Sequence, residues 1–196
     1  MKPSTDADPS ARERILTAAE ALFAEYGFDA TPTSRVAEHA CVPKGLVHYY
    51  FRRKPDLLTA LVRRLPDERV ETCGIVVPGD IAASLRALVA ELDARLSASR
   101  LLSHLLWREA DTHSEVRDAL QSRYGVLVGQ VRAVILAAGV GGLAMADVDS
   151  AAGLVALAVS YRHSVARHTD DDAVSGEMDR ELTFIARALA PSVKPA

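Results

Sequence analysis

The chain has 196 residues, of which 49% are apolar and 25% charged, and this composition is ordinary for a globular protein. Its net charge of −3 argues against a chain that is basic throughout. The longest apolar run, residues 134–146, is too short to cross a bilayer, and residues 1–10 lack the apolar stretch of a signal peptide. We therefore expect a cytoplasmic protein. Cys41 and Cys73 predict neither a disulfide framework nor a metal site.

Basic residues are concentrated in one short stretch of the chain. Residues 44–64 contain six basic residues and one acidic residue, Asp56. A local basic patch on an otherwise balanced region is compatible with DNA binding. The six residues are Lys44, Arg52, Arg53, Lys54, Arg63 and Arg64.

The N-terminal third of the chain predicts four helices. The first has an apolar face at helical spacing and ends at Gly27. A short helix over 33–40, with Thr33 as its N-cap, is followed by a break at 41–43 and by a third helix that runs to about Tyr50. The fourth begins at Lys54. Residues 11–75 are therefore predicted as one helix-turn-helix domain, preceded by a disordered tail over 1–10.

The rest of the chain, residues 76–196, predicts a second helical domain. Helical periodicity resumes after Asp80 and no convincing alternating strand pattern is present. The fold class is therefore all-α, with a four-helix head followed by about five helices. Besides the helix after Asp80, the predicted helices cover residues 100–111, 114–138, 147–168 and 174–190.

A short helix, a three-residue turn and a second helix form the helix-turn-helix unit, whose second helix enters the DNA major groove. Here Lys44 can donate to guanine, and Gly45 allows close backbone approach. His48, Tyr49 and Tyr50 can donate to phosphates. Lys54, at the start of the next helix, lies beside the duplex backbone in this arrangement.

Residues 12–61 resemble the DNA-binding domain of the TetR (tetracycline-repressor) family. The resemblance lies in ordered motifs across about fifty residues. They are Arg14-Ile15-Leu16, Ala18-Ala19, Leu22-Phe23, Gly27-Phe28, Thr31, Thr33, Val36-Ala37, Ala40, Val42, Lys44-Gly45, His48-Tyr49-Tyr50-Phe51, Lys54 and Leu57-Leu58.

The resemblance implies a homodimeric repressor of nine or ten helices that binds double-stranded DNA and releases it when a small molecule fills the C-terminal domain. Cys41, Leu46 and His48 depart from the family pattern, so the operator sequence cannot be carried over. If Cys41 is left-handed, its side chain costs roughly 1–2 kcal/mol. The positions implied to face DNA are Thr33, Ser34, Arg35, Lys44, Gly45, Leu46, His48, Tyr49, Tyr50 and Lys54.

Other functions find less support in the residues. No phosphate-binding loop, nucleophile elbow or paired-carboxylate motif is present, so we expect neither an enzyme nor a cofactor. A TetR-like sensor or scaffold that does not bind DNA remains the alternative. The four histidines of the C-terminal domain show no metal-ligand spacing. They are His104, His113, His163 and His168.

The last two helices are the predicted dimer interface. Residues 151–160 are mostly small and apolar, and Phe184, Ile185 and Leu189 form an apolar stripe; the alternative is that both belong to the intramolecular core. An effector pocket is expected after Asp80. Its candidate lining residues, each of which could instead be ordinary core, are Leu102, Leu106, Trp107, Tyr124, Val128 and Tyr161.

Overall fold

The computed structural model describes residues 9–67, 69–96, 99–165 and 171–190. Within these ranges the chain forms nine helices and no strand, which confirms the all-α prediction. None of these helices is long and apolar enough to cross a membrane. Helix α1 begins at Pro9, inside the predicted tail, because proline is well accommodated at the start of a helix. The rest of that predicted tail, residues 1–8, lies outside the described residues.

Four helices form the N-terminal part of the fold, as the sequence predicts. They are α1 (Pro9–Tyr26), α2 (Thr33–His39), α3 (Lys44–Tyr50) and α4 (Lys54–Val62). Pro32, and not Thr33, occupies the N-cap of α2, so the predicted cap is wrong by one residue.

The turn between α2 and α3 is closed by a Schellman motif. The Val42 N–H donates to the Ala37 carbonyl at 3.0 Å, and the Cys41 N–H donates to the Glu38 carbonyl at 3.1 Å. This pattern requires a left-handed residue at its centre, and Cys41 has φ = 52°. Cys41 therefore bears the strain that a glycine would avoid.

Five helices follow. Helix α7 has the predicted bounds. Helix α6 ends before the predicted residue 111, and α8 and α9 begin before the predicted residues 147 and 174. Residues 166–168 of the predicted 147–168 helix lie outside the described residues. The helices are α5 (Ile81–Leu96), α6 (Arg100–Glu109), α7 (Ser114–Ala138), α8 (Met145–Val165) and α9 (Asp171–Ala188).

The chain forms two compact units. Unit 1 comprises Met1–Leu65 and Leu101–Leu120, and unit 2 comprises Pro66–Arg100 and Gln121–Ala196. The division after residue 75 that the sequence predicts differs from these units by residues 66–75 and 101–120.

Unit 1 has a single core that includes residues distant in sequence. Ile15, Phe23 and Leu58 of the head share one buried cluster with Leu102 and Leu106 of α6. The leucines of α6 recur at helical spacing, so the sequence indicates a buried face. It does not show that this face packs against the head.

Unit 2 has its own core, built from α5, α7, α8 and α9. The segment from Pro66 onwards belongs to this unit and is tied to it by side chains that donate to its backbone carbonyls. These hydrogen bonds run from Arg95 to the Arg69 carbonyl at 2.7 Å, from Arg123 to the Pro66 carbonyl, and from Gln130 to the Val70 carbonyl.

Candidate nucleic-acid interface

Helix α3 has one anchored face and one exposed face. Val47 is fully buried, and Phe51, directly after the helix, also belongs to the core. Because successive helical residues are about 100° apart, fixing Val47 inward turns the residues at 45 and 49 to the opposite side of α3. Of the predicted contact residues on α3, Lys44, Gly45, His48 and Tyr49 are exposed, whereas Leu46 and Tyr50 are half-buried.

Tyr49 and Tyr50 pack edge to face, with ring centroids 5.2 Å apart. Tyr49 stays 54% exposed, so its hydroxyl can reach a ligand on the outer face. Tyr50 also packs against Phe51, with centroids 6.4 Å apart, and therefore links the exposed face of α3 to the core.

Helix α2 supports this surface. Val36 and Ala37 are buried and hold the helix against the head. Thr33 and Ser34 are half-buried, and Arg35 is exposed. The predicted contacts of α2 thus lie on its outer side.

The guanidinium of Arg35 stacks on the ring of Tyr26, its carbon lying 3.8 Å from the ring centroid. This cation–π contact restrains a long side chain before any partner binds. This contact places the guanidinium of Arg35 beside Tyr26 on the exposed side of the head.

Lys54 is held by the loop that follows α1. Its Nζ lies 4.2 Å from the centroid of Phe28 and donates to the Asp29 carbonyl at 3.3 Å. Burial lowers the pKa of Lys54, and the carboxylates of Asp29 and Glu109 oppose that shift. An ammonium has three donors, so hydrogen-bonding capacity is left for a phosphate.

Two of the six basic residues in 44–64 are neutralised within unit 1. Arg53 pairs with Asp56 at 3.1 Å and with Glu115 at 2.9 Å, and Arg64 pairs with Glu20 at 3.1 Å. Glu20 and Glu115 lie far from their partners in sequence. Counting charges within residues 44–64 alone therefore overstates the positive charge of the surface.

Gly45 has open space around the position that a Cβ would occupy, and its φ is not positive. Neither packing nor backbone conformation therefore requires glycine there. A close approach by a partner is the remaining physical reason for a residue without a side chain on the exposed face of α3.

The predicted effector residues divide between the two units. In unit 1, Leu102 and Leu106 are buried in the core and Trp107 is 41% exposed. In unit 2, Tyr124 and Val128 are half-buried against the core. No pocket described within either unit brings the six residues together.

Tyr161, the sixth predicted effector residue, is exposed and lines a groove between α8 and α9 of about 510 Å³. Sequence reasoning assigned most of this surface to a dimer interface. The lining residues are Leu154, Val155, Leu157, Ala158, Tyr161, Met178, Glu181, Leu182, Phe184 and Ile185.

The histidines do not form a metal site in the described part of the chain, where no three His, Cys, Asp or Glu side chains come together around a common point. His113 packs edge to face on Phe28, with centroids 4.8 Å apart, and His163 hydrogen-bonds to Asp93. His168 lies outside the described residues.

Comparison with known proteins agrees with this architecture. Residues 15–61 match the sequence model of bacterial regulatory proteins of the tetR family. No curated protein matches the chain.

Solved structures similar to this chain include a transcriptional regulator from Rhodococcus sp. Rha1 (20% identity, covering 93% of this chain and 98% of that one, TM-score 0.68). A TetR-family transcriptional regulator from Mesorhizobium loti MAFF303099 is 18% identical, over 92% and 98% of the two chains, with a TM-score of 0.68. SmeT in complex with triclosan is 22% identical, over 95% of each chain, with a TM-score of 0.69.

At these identities the solved structures show the fold, and the sequence match covers the helix-turn-helix. The sequence match points to a regulator of transcription rather than an enzyme. Residues 15–61 thus carry the sequence pattern of the tetR family of bacterial regulatory proteins, and the chain as a whole has the fold of these solved structures.

Proposed function

We propose that this regulator is a cytoplasmic, homodimeric repressor that binds a palindromic operator through α3 and leaves it when a small molecule binds unit 2. The observation that carries the DNA-binding part is the division of α3 into a buried Val47 and an exposed row formed by Lys44, Gly45, His48 and Tyr49. A helix anchored on one side and polar on the other can insert into the major groove without disturbing its own core.

The exposed residues have separate tasks in this proposal. Lys44 donates to a base edge at the N-terminal end of α3. Tyr49 and Lys54 donate to phosphates, and Arg35, held on Tyr26, adds charge from α2. The phosphate contacts set the register, and Lys44 provides sequence preference.

Gel-shift titration with the DNA upstream of the protein's own gene tests DNA binding, and footprinting locates the site. We expect a palindrome with half-sites about 34 Å apart or somewhat more, because a two-fold dimer presents two α3 helices. Absence of binding to this region and to a genomic library would favour the sensor or scaffold function instead.

The dimer proposal depends on an apolar face of unit 2. Leu154, Leu157, Tyr161 and Phe184 are 58%, 59%, 63% and 71% exposed and line the same groove. Large exposed apolar patches mark interaction sites. We therefore propose that a second copy of this chain covers the groove.

Other residues predicted for this interface serve the core of unit 2. Within 151–160, Ala152, Val155, Ala156 and Val159 are buried against the remaining helices of the unit, and Leu189 is buried as well. The exposed residues of α8 are left for the proposed interface, whereas the buried ones belong to the core of the unit.

Light scattering at micromolar concentration tests the dimer. We expect twice the monomer mass for the wild type and a monomer for Phe184→Asp, because an ionised carboxylate cannot be buried without a partner. Val140→Asp, which changes a residue 76% exposed and outside the groove, is the matched control and should stay dimeric. A monomeric wild type would contradict the proposal.

Release by a small molecule is supported by fold similarity to SmeT, whose structure contains triclosan. A compound that releases DNA must bind more tightly to free protein than to DNA-bound protein. A hundredfold effect on operator affinity needs about 2.7 kcal/mol of coupling. Equal affinities of a releasing compound for both forms would indicate direct competition at the DNA surface.

A further inference from the structure

The C-terminal parts of α5 and α8 carry a partly buried polar cluster that the proposed DNA binding does not use. The Asp93 carboxylate accepts one hydrogen bond from Arg162 and faces Nε2 of His163, each at 2.9 Å. His163 is 6% exposed. Among the described residues, its Nδ1 is buried without a hydrogen-bond partner.

The charge of Asp93 decides which nitrogen of His163 carries the proton. Burial raises the pKa of Asp93, but the hydrogen bonds and charges of His163 and Arg162 together outweigh it, so the pKa is lowered overall. An ionised carboxylate can only accept, so Nε2 of His163 must donate. In the neutral imidazole Nδ1 then presents a lone pair and is an acceptor.

The helix faces that carry His163 and Asp93 are otherwise mainly apolar. His163 continues the buried face of α8, four residues after Val159, and Leu88 and Leu92 precede Asp93 on the buried face of α5. Apolar walls with a few polar anchors are typical of small-molecule sites. The earlier buried positions of α8 are Val148, Ala151, Ala152, Val155, Ala156 and Val159.

We propose that Nδ1 of His163 anchors the effector by accepting a hydrogen bond from it, and that the effector is a small neutral molecule with a hydroxyl or N–H group on an apolar body. A donor placed there satisfies a buried acceptor that the protein leaves unpaired. A carboxylate or phosphate would bring negative charge towards Asp93 and offers no proton to the lone pair, so acidic effectors are disfavoured. This inference rests on the proposed release by an effector.

The test compares two probes of nearly the same shape on the full-length protein: phenol, which donates a hydrogen bond, and anisole, which cannot. In calorimetric titration we expect phenol to bind about tenfold more tightly than anisole, as one hydrogen bond would provide. In protein labelled with 15N-histidine, phenol should shift the Nδ1 resonance of His163 and anisole should not.

His163→Leu should bind both probes with equal affinity, whereas the control His39→Gln, on the exposed side of α2, should discriminate as the wild type does. Equal affinities in the wild type, or an Nδ1 resonance that is protonated or unmoved by phenol, would overturn the proposal even if His163→Leu fails to fold. Neither readout involves DNA. If phenol binds at His163 but leaves operator affinity unchanged, the proposed release from DNA is contradicted. The binding site at His163 is then still supported.

Discussion

The ammonium of Lys54 lies 4.2 Å above the ring of Phe28, so a residue expected to touch DNA is also part of the packing of the head. We predict that Lys54→Met, which keeps most of the apolar stem, weakens binding to all DNA sequences alike and flattens the salt dependence by about one unit. Phe28→Leu removes the ring and keeps the charge, so its salt slope should equal that of the wild type. If Lys54→Met shows the same salt dependence of DNA binding as the wild type, Lys54 does not contact DNA.

Lys44 should behave differently, because it is exposed at the first position of α3. Replacing Lys44 by Ala should cost about 1–3 kcal/mol on the operator and relax preference at one base pair. Binding to a library of single-base operator variants measures both effects. A uniform loss across all variants would make Lys44 a phosphate contact.

Gly45→Ala separates stability from DNA binding. The open space around Gly45 predicts that the variant folds with unchanged or slightly higher stability, by up to about 0.5 kcal/mol. If the backbone approaches DNA at this position, operator affinity must fall nonetheless. Gly125→Ala, also helical and with open space around it, is the control and should leave affinity unchanged. Wild-type affinity for Gly45→Ala would rule out a close approach there.

Cys41→Gly should raise the free energy of unfolding by about 1 kcal/mol, because glycine carries no Cβ to clash at φ = 52°. Cys41→Ala removes the thiol but keeps the Cβ, so it should bring no gain. Urea denaturation of the three proteins measures the difference. Equal stabilities of the Gly and Ala variants would show that the turn is not strained.

Acid should destabilise unit 2 through Asp93. The pKa of Asp93 is lowered in the folded protein, so below the ordinary carboxyl pKa of about 3.9 the unfolded chain binds more protons. The stabilisation is complete above that pH and is lost as the pH falls towards the folded pKa. When the pH is lowered from about 5 to 3, the free energy of unfolding of Asp93→Asn should therefore fall less than that of the wild type. The free energy of unfolding of Asp111→Asn, changed at an exposed residue, should fall as that of the wild type does.

Local patterns predicted the elements of this fold well. The bounds of α7 follow from its periodicity, and the order from α1 to α4 follows from caps, prolines and apolar spacing. Lys44 and His48 are exposed on α3, as their predicted role requires. These features depend on residues only a few positions apart.

The contacts that escaped prediction join distant positions. Glu115 neutralises Arg53 across 62 residues, and Leu106 packs in the same core as Ile15. An apolar stripe shows that a helix buries one face but not which partner covers it. The environment of His163 could not be predicted for the same reason, because Asp93, which faces its Nε2, lies on another helix.

The discontinuity of unit 1 limits how such regulators can be recombined. A head cut at residue 65 or at residue 75 would lose Leu102, Leu105 and Leu106, and with them one wall of its core. A hybrid that keeps this core intact must therefore also take residues 101–120, with one splice after the first residue of α6 and the other inside α7. Exchange of operator specificity between relatives is more readily achieved by substituting the exposed residues of α3 than by transplanting the head.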